Sequence, residues 1–536
     1  MRQTHDVGDR IELDDGARGV VRWIGQVLGR DGAWLGVEWD DRARGKHDGA
    51  LDGVRYFSCE NASHVSSNAA SFVRGHKIRP SLTFVEAFRA KYARASRAAE
   101  NEGDDMYIHT VRGNRLRVEL CEKVNDVDER MDDVDGRLRA MTRAYVDDAR
   151  VASAGPPGEA NASVGDLEVL GLAGSLFATW SDAQALAEEF PRLKALDLSG
   201  MRPRTWASGD AARRGAFARL EVLVLNDTNA TWKNVCALRA CFPELRELYL
   251  NSNGMETFEA EASEAEAPFP KLQTLSVDGN AIKDWHQIEA LGRALPKLQK
   301  LHVSQNSLVE IRRSGDAFPE LKSLLVGENA LDSWRSVDAL DSFPKLEEVR
   351  LSGNPLADGA LARHEIIARV SRLTVLNGST VGVAERKDSE IRYLRRALQS
   401  LKECAADEDA RRQVAETNPR IDDLVRAHGD LVTHTSRAPG ETTLASASVE
   451  LLLHLESTSQ TIAKKLPRST SVGKLKLLCA KLFKLQVADV RLAHHTDVDE
   501  VYETVDLAPD DEPLSRFCLA HRAEILIRPS SPLAAL

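Results

Sequence analysis

LRELYLNSN, Leu245–Asn253, spaces three leucines three and two residues apart and ends on an asparagine. The pattern returns along the chain. Leu272, Leu275, Val277 and Asn280 form another copy, and Leu298, Leu301, Val303 and Asn306 the next. Leu321, Leu324, Val326 and Asn329 follow, then Leu346, Val349, Leu351 and Asn354. Weaker copies start at Leu167, Leu193 and Leu220, with Ser175, Met201 and Thr228 where the asparagine would stand. Apolar residues that alternate over so short a run describe a strand with one buried face. The asparagine amide can satisfy backbone groups where the chain turns off that strand. One copy cannot bury its face alone, so the copies are expected to stack into a horseshoe.

Starts about 23–27 residues apart fall within the roughly 20–29-residue period of leucine-rich repeats. Between strands, DWHQIEALGRALPKL (Asp284–Leu298) and SWRSVDALDSFPKL (Ser333–Leu346) carry apolar residues at helical spacing. Pro191, Pro243, Pro270, Pro296, Pro319 and Pro344 each precede a first leucine by two residues. Proline disfavours helix in the residue before it, so each one ends a helix and returns the chain to strand. Trp180, Trp206, Trp232, Trp285 and Trp334 recur at matching places in their repeats. Such regularity reads as packing of helix on strand rather than as a binding stripe. The predicted solenoid covers residues 161–400. Its cap holds a final LTVLN and a charged helix over Glu385–Leu401, and a polar end keeps such a stack soluble.

Both flanks differ in character. Residues 6–80 hold short β-type runs, Ile11–Leu13, Gly19–Ile24, Trp34–Trp39, Val54–Cys59 and Phe72–Val73, punctuated by glycine, which reads as a small barrel or sandwich of short strands. Residues 81–160 read as a helical and charged linker. It has a helix over Phe84–Ala99, exposed charge at Asn101–Asp105 and Asn125–Asp135, and a flexible spacer in Val151–Gly165. The acidic run Glu256–Glu266 reads as an exposed insertion between repeats. Residues 401–447 read as a second linker with further helix. Residues 448–529 suggest an α+β domain: a hairpin of Val449–Leu455 and Gln460–Leu466, a helix over Val472–Leu482, then strands Val490–Ala493 and Glu524–Ile527. That order suits a ubiquitin-like fold. His494, His495, Asp497 and Asp499 are expected in a solvated turn there, not around a metal. The helix carries Val472, Leu475, Leu478 and Leu482 on a core face and lysines outside, which suits a docking module. The tail RPSSPLAAL has no glycine for conjugation.

The chain has 536 residues, ordinary hydrophobic content (43%) and a net charge of −11. That acidity disfavours nucleic acid as the main partner. Residues 1–80, however, hold twelve basic and twelve acidic residues, so an acidic ligand is least repelled there. No apolar run is long enough for a membrane helix, and MRQTHDVGDR lacks a signal peptide's apolar core. Seven scattered cysteines without a CxxC pair suit reduced thiols. Neither a P-loop, GxSxG, HExxH nor strand-bound GxGxxG is present, so no enzyme and no cofactor is expected.

VGDRIELDDGARGVVRWIG, GAWLGVEWDD, GKHDG, LDGVRYFSC and SFVRGHKI follow one another in the first eighty residues. In that order they resemble the CAP-Gly family closely. The resemblance implies a domain that binds acidic C-terminal tails ending in Glu-Glu-Tyr or Glu-Glu-Phe, such as that of α-tubulin. By position it implies a glycine-rich binding loop of Gly45, Lys46, His47, Asp48 and Gly49. Trp34, Phe57 and Phe72 would line an aromatic groove, and Arg74 and Lys77 a basic rim. His47 stands where the family commonly has asparagine. Glycines there allow close backbone approach and free N–H groups for a carboxylate.

CAP-Gly domain, leucine-rich repeats and ubiquitin-like domain in this order resemble the tubulin-folding cofactor E family, as do VLVLNDTNATWKNV, LRELYLNSN and MYIHTVRGNRLRVE. The fold class expected is therefore multidomain: an N-terminal all-β CAP-Gly barrel, a central α/β leucine-rich-repeat solenoid and a C-terminal α+β ubiquitin-like domain. The resemblance implies a cytoplasmic, cytoskeleton-associated chaperone. Its partners would be α-tubulin and the other tubulin-folding cofactors B, C and D, with no nucleic acid and no membrane, and it would assemble and dissociate the αβ dimer. A microtubule-end adaptor would bring long coiled coils or basic serine-rich flanks, and the sequence has neither. A leucine-rich-repeat GTPase activator is the other alternative.

Overall fold

In a computed structural model of the chain, the described residues are 5–59, 68–92, 107–109, 115–117, 138–206, 215–258, 267–313, 315–359, 361–433, 448–456, 460–487, 490–498, 501–507, 510–517, 519 and 522–529. They fall into two compact units, taken in turn. Met1–Ile108 and Arg117–Asn253 make most of the first, and Gly254–Phe258 and Ser263–Leu536 most of the second.

The first unit begins with an antiparallel sheet of β1 (Arg10–Glu12), β2 (Arg18–Gln26), β3 (Ala33–Trp39) and β6 (Ala70–Val73), in that spatial order. Alternation along β3 sends Leu35, Val37 and Trp39 to one face, where they pack with Ile11, Leu13, Val21 and Val73. The opposite face carries Trp34 and Gly36, with Phe72 opposite Gly36. The connection from β3 to β6 holds the two-residue ribbon of β4 (Ala50–Leu51) and β5 (Val54–Arg55). The strand expected over Val54–Cys59 therefore stops at Arg55. The backbone turns at Gly53 (φ 81°). Tyr56 N–H donates to the Gly49 carbonyl at 3.0 Å, which leaves Phe57 to drop onto the sheet instead of extending it.

β7 (Leu82–Thr83) then pairs in parallel with Val151–Ser153, and α1 (Phe84–Tyr92) buries Phe84 and Phe88. The segment Val151–Gly165, expected as a flexible spacer, is built structure. It supplies the Val151–Ser153 strand and a helix over Glu159–Val164, and it buries Val151, Ala160 and Val164 completely. Its glycines serve turns: Gly155, Gly158 and Gly165 all have φ near 80–90° or slightly below (91°, 82° and 76°). The acidic segment 259–266, both charged runs of the first linker, and residues 93–99 of the expected helix lie outside the described residues.

Strands Arg143–Tyr145, Val169–Gly171, Ala195–Asp197, Val222–Val224 and Glu247–Tyr249 run parallel in register. In the second unit Thr274–Ser276, Lys300–His302, Ser323–Leu325, Glu348–Arg350 and Val375–Leu376 do the same. The repeat asparagines act as the pattern predicts. Asn329 donates to the carbonyls of Val303 and Val326 and accepts from Leu308 N–H at 3.0 Å. Helices begin on the tryptophans, at Trp180, Trp232, Trp285 and Trp334, behind N-caps Thr179, Thr231, Asp284 and Ser333. Trp180, Trp232 and Trp285 are buried, and Trp206 stacks on Trp180 at 5.7 Å. The tryptophan series is thus largely core.

The cap is longer than expected. Its helix Val383–Glu403 packs Tyr393, Leu394 and Ala397 against Ala368 and against Ile421 and Leu424 of the helix Ile421–Thr433. Residues read as linker therefore complete the cap. Arg369 joins it by ion pairs to Asp338 and Glu365, both at 2.7 Å.

The C-terminal domain is a mixed sheet in the order Gln460–Pro467, Ser448–Leu455, Ala523–Pro529, Val490–Val498, Val501–Asp506. Ser448–Leu455 and Ala523–Pro529, the first and last of these strands along the chain, pair in parallel inside the sheet, and helix Val472–Phe483 buries Val472, Leu475, Cys479, Ala480 and Phe483. This is the ubiquitin-like topology. The expected turn at His494 is instead strand. Val490–Val498 runs on past Ala493 into a hairpin with Val501–Asp506, and His494 is buried. Among the described residues no metal-ligating cluster forms. Lys474 and Lys481 are exposed on the helix, whereas Lys476 pairs with Asp510 at 2.5 Å.

Candidate functional site

On the face of the N-terminal sheet away from its core, glycine removes side chains from the middle of the sheet. A Cβ on Gly36 would come 2.2 Å from the Phe57 ring, so Phe57 lies flat against bare backbone. Around it stand Phe72 at 5.8 Å and His47 at 6.2 Å. Phe72 is the hub, with His47 at 4.7 Å, Tyr56 at 5.2 Å and Trp23 at 5.6 Å. Edge-to-face and tilted contacts of this kind add about 0.5–1.5 kcal/mol each beyond area burial.

The loop is fixed by backbone. Lys46 N–H and His47 N–H both donate to the Ala70 carbonyl at 2.7 and 3.1 Å, and Ala70 N–H donates back to His47. Gly45 lies so close to the chain entering β6 that no side chain fits. Gly49 (φ 95°) faces the Phe57 carbonyl. Asp48 holds the turn, accepting from Ala50 N–H at 3.1 Å and from Arg55 at 2.7 Å. The arginine beside it holds its carboxyl below the usual range, so its charge is engaged by Arg55.

His47 is the chemically informative residue. Gly49 N–H donates to His47 Nδ1 at 3.0 Å, which assigns the proton to Nε2. That Nε2 is buried with no partner. Burial pushes the imidazole below its ordinary value; Asp48 opposes this and Arg30 adds to it. The sign follows. The folded form resists the proton that the unfolded chain accepts, so stability is complete above the ordinary histidine range and is lost as pH falls through and below it. Acidification from pH 7.5 to 5.5 should lower the unfolding midpoint of this domain. His47→Asn should flatten that dependence, as read by denaturant titration at each pH. An unchanged slope in His47→Asn would exclude His47 as the source.

Trp34 belongs to a second cluster at the same edge. Arg74 lies over its ring at 3.8 Å and Arg30 at 5.6 Å. Arg74 also donates to the Ala33 and Asp31 carbonyls at 3.2 and 2.6 Å. It clamps Trp34 more than it forms an open rim. Lys46, Lys77 and Arg30 are exposed, and none of them joins an ion pair among the described residues. By contrast Arg10, Arg18, Arg22, Arg44, Arg55 and Arg79 are all paired with carboxylates. The even charge count of the domain thus conceals a set of unpaired cations, of which Arg30 lies by Trp34 and Lys46 adjoins His47 of the aromatic face. Trp23, Tyr56 and Arg30 were not among the sequence expectations. RYF and RWIG placed aromatics there, but only the sheet brings Trp23 within 5.0 Å of Tyr56. Tyr56 Oη accepts from Leu28 N–H at 2.9 Å, which pins the next loop beside it.

Comparison with known proteins matches the CAP-Gly domain profile to residues 7–78 and a leucine-rich-repeat profile to residues 286–405. Tubulin-folding cofactor E of Arabidopsis thaliana is 33% identical over 91% of this chain and 91% of its own length. Tubulin-specific chaperone E of Bos taurus is 27% identical over 97% of this chain and 98% of its own. Among solved structures, the C-terminal ubiquitin-like domain of mouse tubulin-specific chaperone e covers 18% of this chain and 97% of that domain, at 23% identity and a TM-score of 0.16.

Proposed function

The chain belongs to the tubulin-folding cofactor E family, and from that premise we propose that it is a tubulin-folding chaperone whose N-terminal groove takes the acidic C-terminal tail of α-tubulin. The observation that carries this reading is the pairing of an aromatic face, built on Gly36 and centred on Phe72, with unpaired Lys46 and Arg30 beside it. An aromatic terminal residue suits the ring cluster. A terminal carboxylate suits Lys46 and the buried Nε2–H of His47, which has no acceptor of its own. Preceding glutamates suit the exposed cations, whose attraction brings on-rate and salt sensitivity. Gly45, Asp48 and Gly49 shape the loop, and Phe57, Trp34 and Arg74 support its walls. In this reading the protein is not an enzyme, works in the cytoplasm with the cytoskeleton, and shares α-tubulin with cofactors B, C and D. No described helix is long and apolar enough to cross a membrane.

The test uses the whole chain and a peptide ending in Glu-Glu-Tyr, followed by calorimetry. Lys46→Ala should weaken binding by ~1–2 kcal/mol, the range of a charge-assisted contact. Omitting the terminal tyrosine should weaken it further. Equal affinity for the intact and shortened peptides would exclude the aromatic groove, and unchanged binding by Lys46→Ala would remove Lys46 from the site.

A further inference from the structure

We propose that the CAP-Gly domain is an arm latched by charge onto the first repeats of its own chain, with Glu12 as the pin of the latch and residues 79–81 as its pivot. All the contacts lie within the first unit. The Glu12 side chain is only 4% exposed and accepts from Arg18 Nε at 2.8 Å and from Arg79 at 2.7 Å, with Arg150 at 4.0 Å. Arg18 reaches on to Asp148 of the solenoid at 2.8 Å. One buried carboxylate thus gathers three guanidinium groups from β2, from the connection and from the first repeat.

The solenoid side is shaped for this. Asp148 (φ 54°) and Arg150 (φ 58°) both occupy the left-handed region, which non-glycine residues enter at a cost. That turn aims both side chains at the CAP-Gly sheet. Arg150 Nε also donates to the Pro80 carbonyl at 3.0 Å. Further along, Arg202 approaches the Asp40 carbonyl and Arg204 the Val7 carbonyl, each at 3.5 Å. Every one of these links is polar. A cavity of about 120 Å³ opens at the junction, lined among others by His5, Asp9, Arg10, Arg79 and Ser81. Its lining is mixed, with Ile11, Ile78, Ala152, Leu176 and Ala178 beside those polar groups, and it is large enough to hold water.

The chain just beyond is held differently. Phe84 and Phe88 are fully buried, and Phe84 packs on Phe190 at 5.6 Å. α1 is therefore fixed to the solenoid by apolar packing, which salt does not weaken. The CAP-Gly sheet is held mainly by ion pairs and arginine–carbonyl hydrogen bonds, and their exposed charge is screened within about 8 Å at physiological salt. Motion can only occur about the short connection between them. β2 runs from the latch at Arg18 to Gly25 beside Trp34, about 25 Å on, so the latch sets where the aromatic groove points. A ligand held there and on the repeats would make its second contact intramolecularly. The latch stands whatever the groove binds.

Hydrogen exchange on the full chain tests it. Arg79 N–H donates to the Glu12 carbonyl and Leu82 N–H to the Arg150 carbonyl, at 2.9 and 3.0 Å, so both report on the pivot. Glu12→Gln removes the counter-charge from three arginines and should speed exchange at Arg79 and Leu82 by about ten-fold. Asp148→Asn lies outside the CAP-Gly sheet and cannot unfold it, and should give about three-fold, because Asp148 is exposed. Amides of Val21 and Val37, in the sheet's core, should not change in either variant. Pivot amides that exchange as before in both variants would overturn the latch. So would Glu12→Gln speeding Val21 and Val37 as much as the pivot, since Glu12 would then merely stabilise the domain. An effect of Glu12→Gln with none from Asp148→Asn would confine the network to the domain and overturn it equally.

Discussion

Gly45→Ala should abolish tail-peptide binding, by at least about thirty-fold, while leaving the N-terminal sheet folded. A Cβ at this position would lie 1.6 Å from the Asn68 carbonyl oxygen and 2.4 Å from the Ala69 carbonyl carbon. Both are backbone atoms, so no rotamer change relieves the clash. The loop must then leave the edge of β6, which breaks the bonds of Lys46 and His47 to Ala70. His47 would lose its place against Phe72, and Lys46 its place beside the cluster. Overpacking of a fixed site costs about 1–3 kcal/mol locally. The core of Ile11, Val21, Leu35, Val37 and Val73 lies on the other face and should keep its unfolding transition within that amount. Peptide calorimetry and a denaturant titration on the same sample separate loss of binding from loss of fold. Ordinary affinity in Gly45→Ala would show that the loop geometry is irrelevant to the ligand.

The same glycines show how much of the site was legible in the sequence. GKHDG named the loop, and its chemistry named the two positions where backbone approach matters. The residues that the structure adds, Trp23, Tyr56 and Arg30, lie in other segments and meet only through the β2–β3 register and the turn at Gly53. Charge counting pointed to the N-terminal end of the chain but did not show which cations are unpaired there. Twelve acids and twelve bases balance in number, yet the arginines of β1, β2 and the loop are paired away from the groove. Arg74 is the reverse case. Its position suggested an open rim, whereas its fork is committed to the Ala33 and Asp31 carbonyls.

For the fold, periodicity succeeded wherever each repeat states its own pattern and failed where a segment takes its structure from a neighbour. Val151–Gly165 is small, glycine-bearing and weakly apolar, which reads as a linker. It is ordered because β7 supplies a partner strand and the first repeats cover Val151 and Val164. Residues 401–447 read as a linker with further helix, but within them Ile421 and Leu424 pack on Tyr393 and Leu394 of the cap. His494 looked like a turn because histidines and aspartates are polar, but the hairpin Val490–Asp506 places it on the sheet. Tertiary partners overrode local composition each time.

Asn354→Ala should destabilise the repeats by ~2–4 kcal/mol. The side chain is fully buried. Its Nδ2 donates to the Val326 and Leu351 carbonyls, both at 2.9 Å, and its Oδ1 accepts from Leu331 N–H at 3.1 Å. Alanine leaves Leu331 N–H without its acceptor and takes one of two donors from each carbonyl, since Val326 keeps Asn329 Nδ2 and Leu351 keeps the residue 354 N–H. The orphaned N–H costs about 1–3 kcal/mol and each lost second bond to a carbonyl about 0.5–1.5 kcal/mol, and partial relaxation keeps the sum within the stated range. Asn354→Asp should be no milder, because the carboxylate keeps the acceptor, loses both donors and adds a buried charge. An exposed contact in the same unit is the contrast. Lys345 pairs with Glu320 at 2.6 Å, yet both side chains are more than 40% exposed, so Lys345→Ala should cost under about 1 kcal/mol. Denaturant unfolding of the three variants, followed by tryptophan emission, orders them directly. If Asn354→Ala and Lys345→Ala unfold together, the asparagine ladder does not hold the turns of the solenoid, and its strands must be kept in register by leucine packing alone.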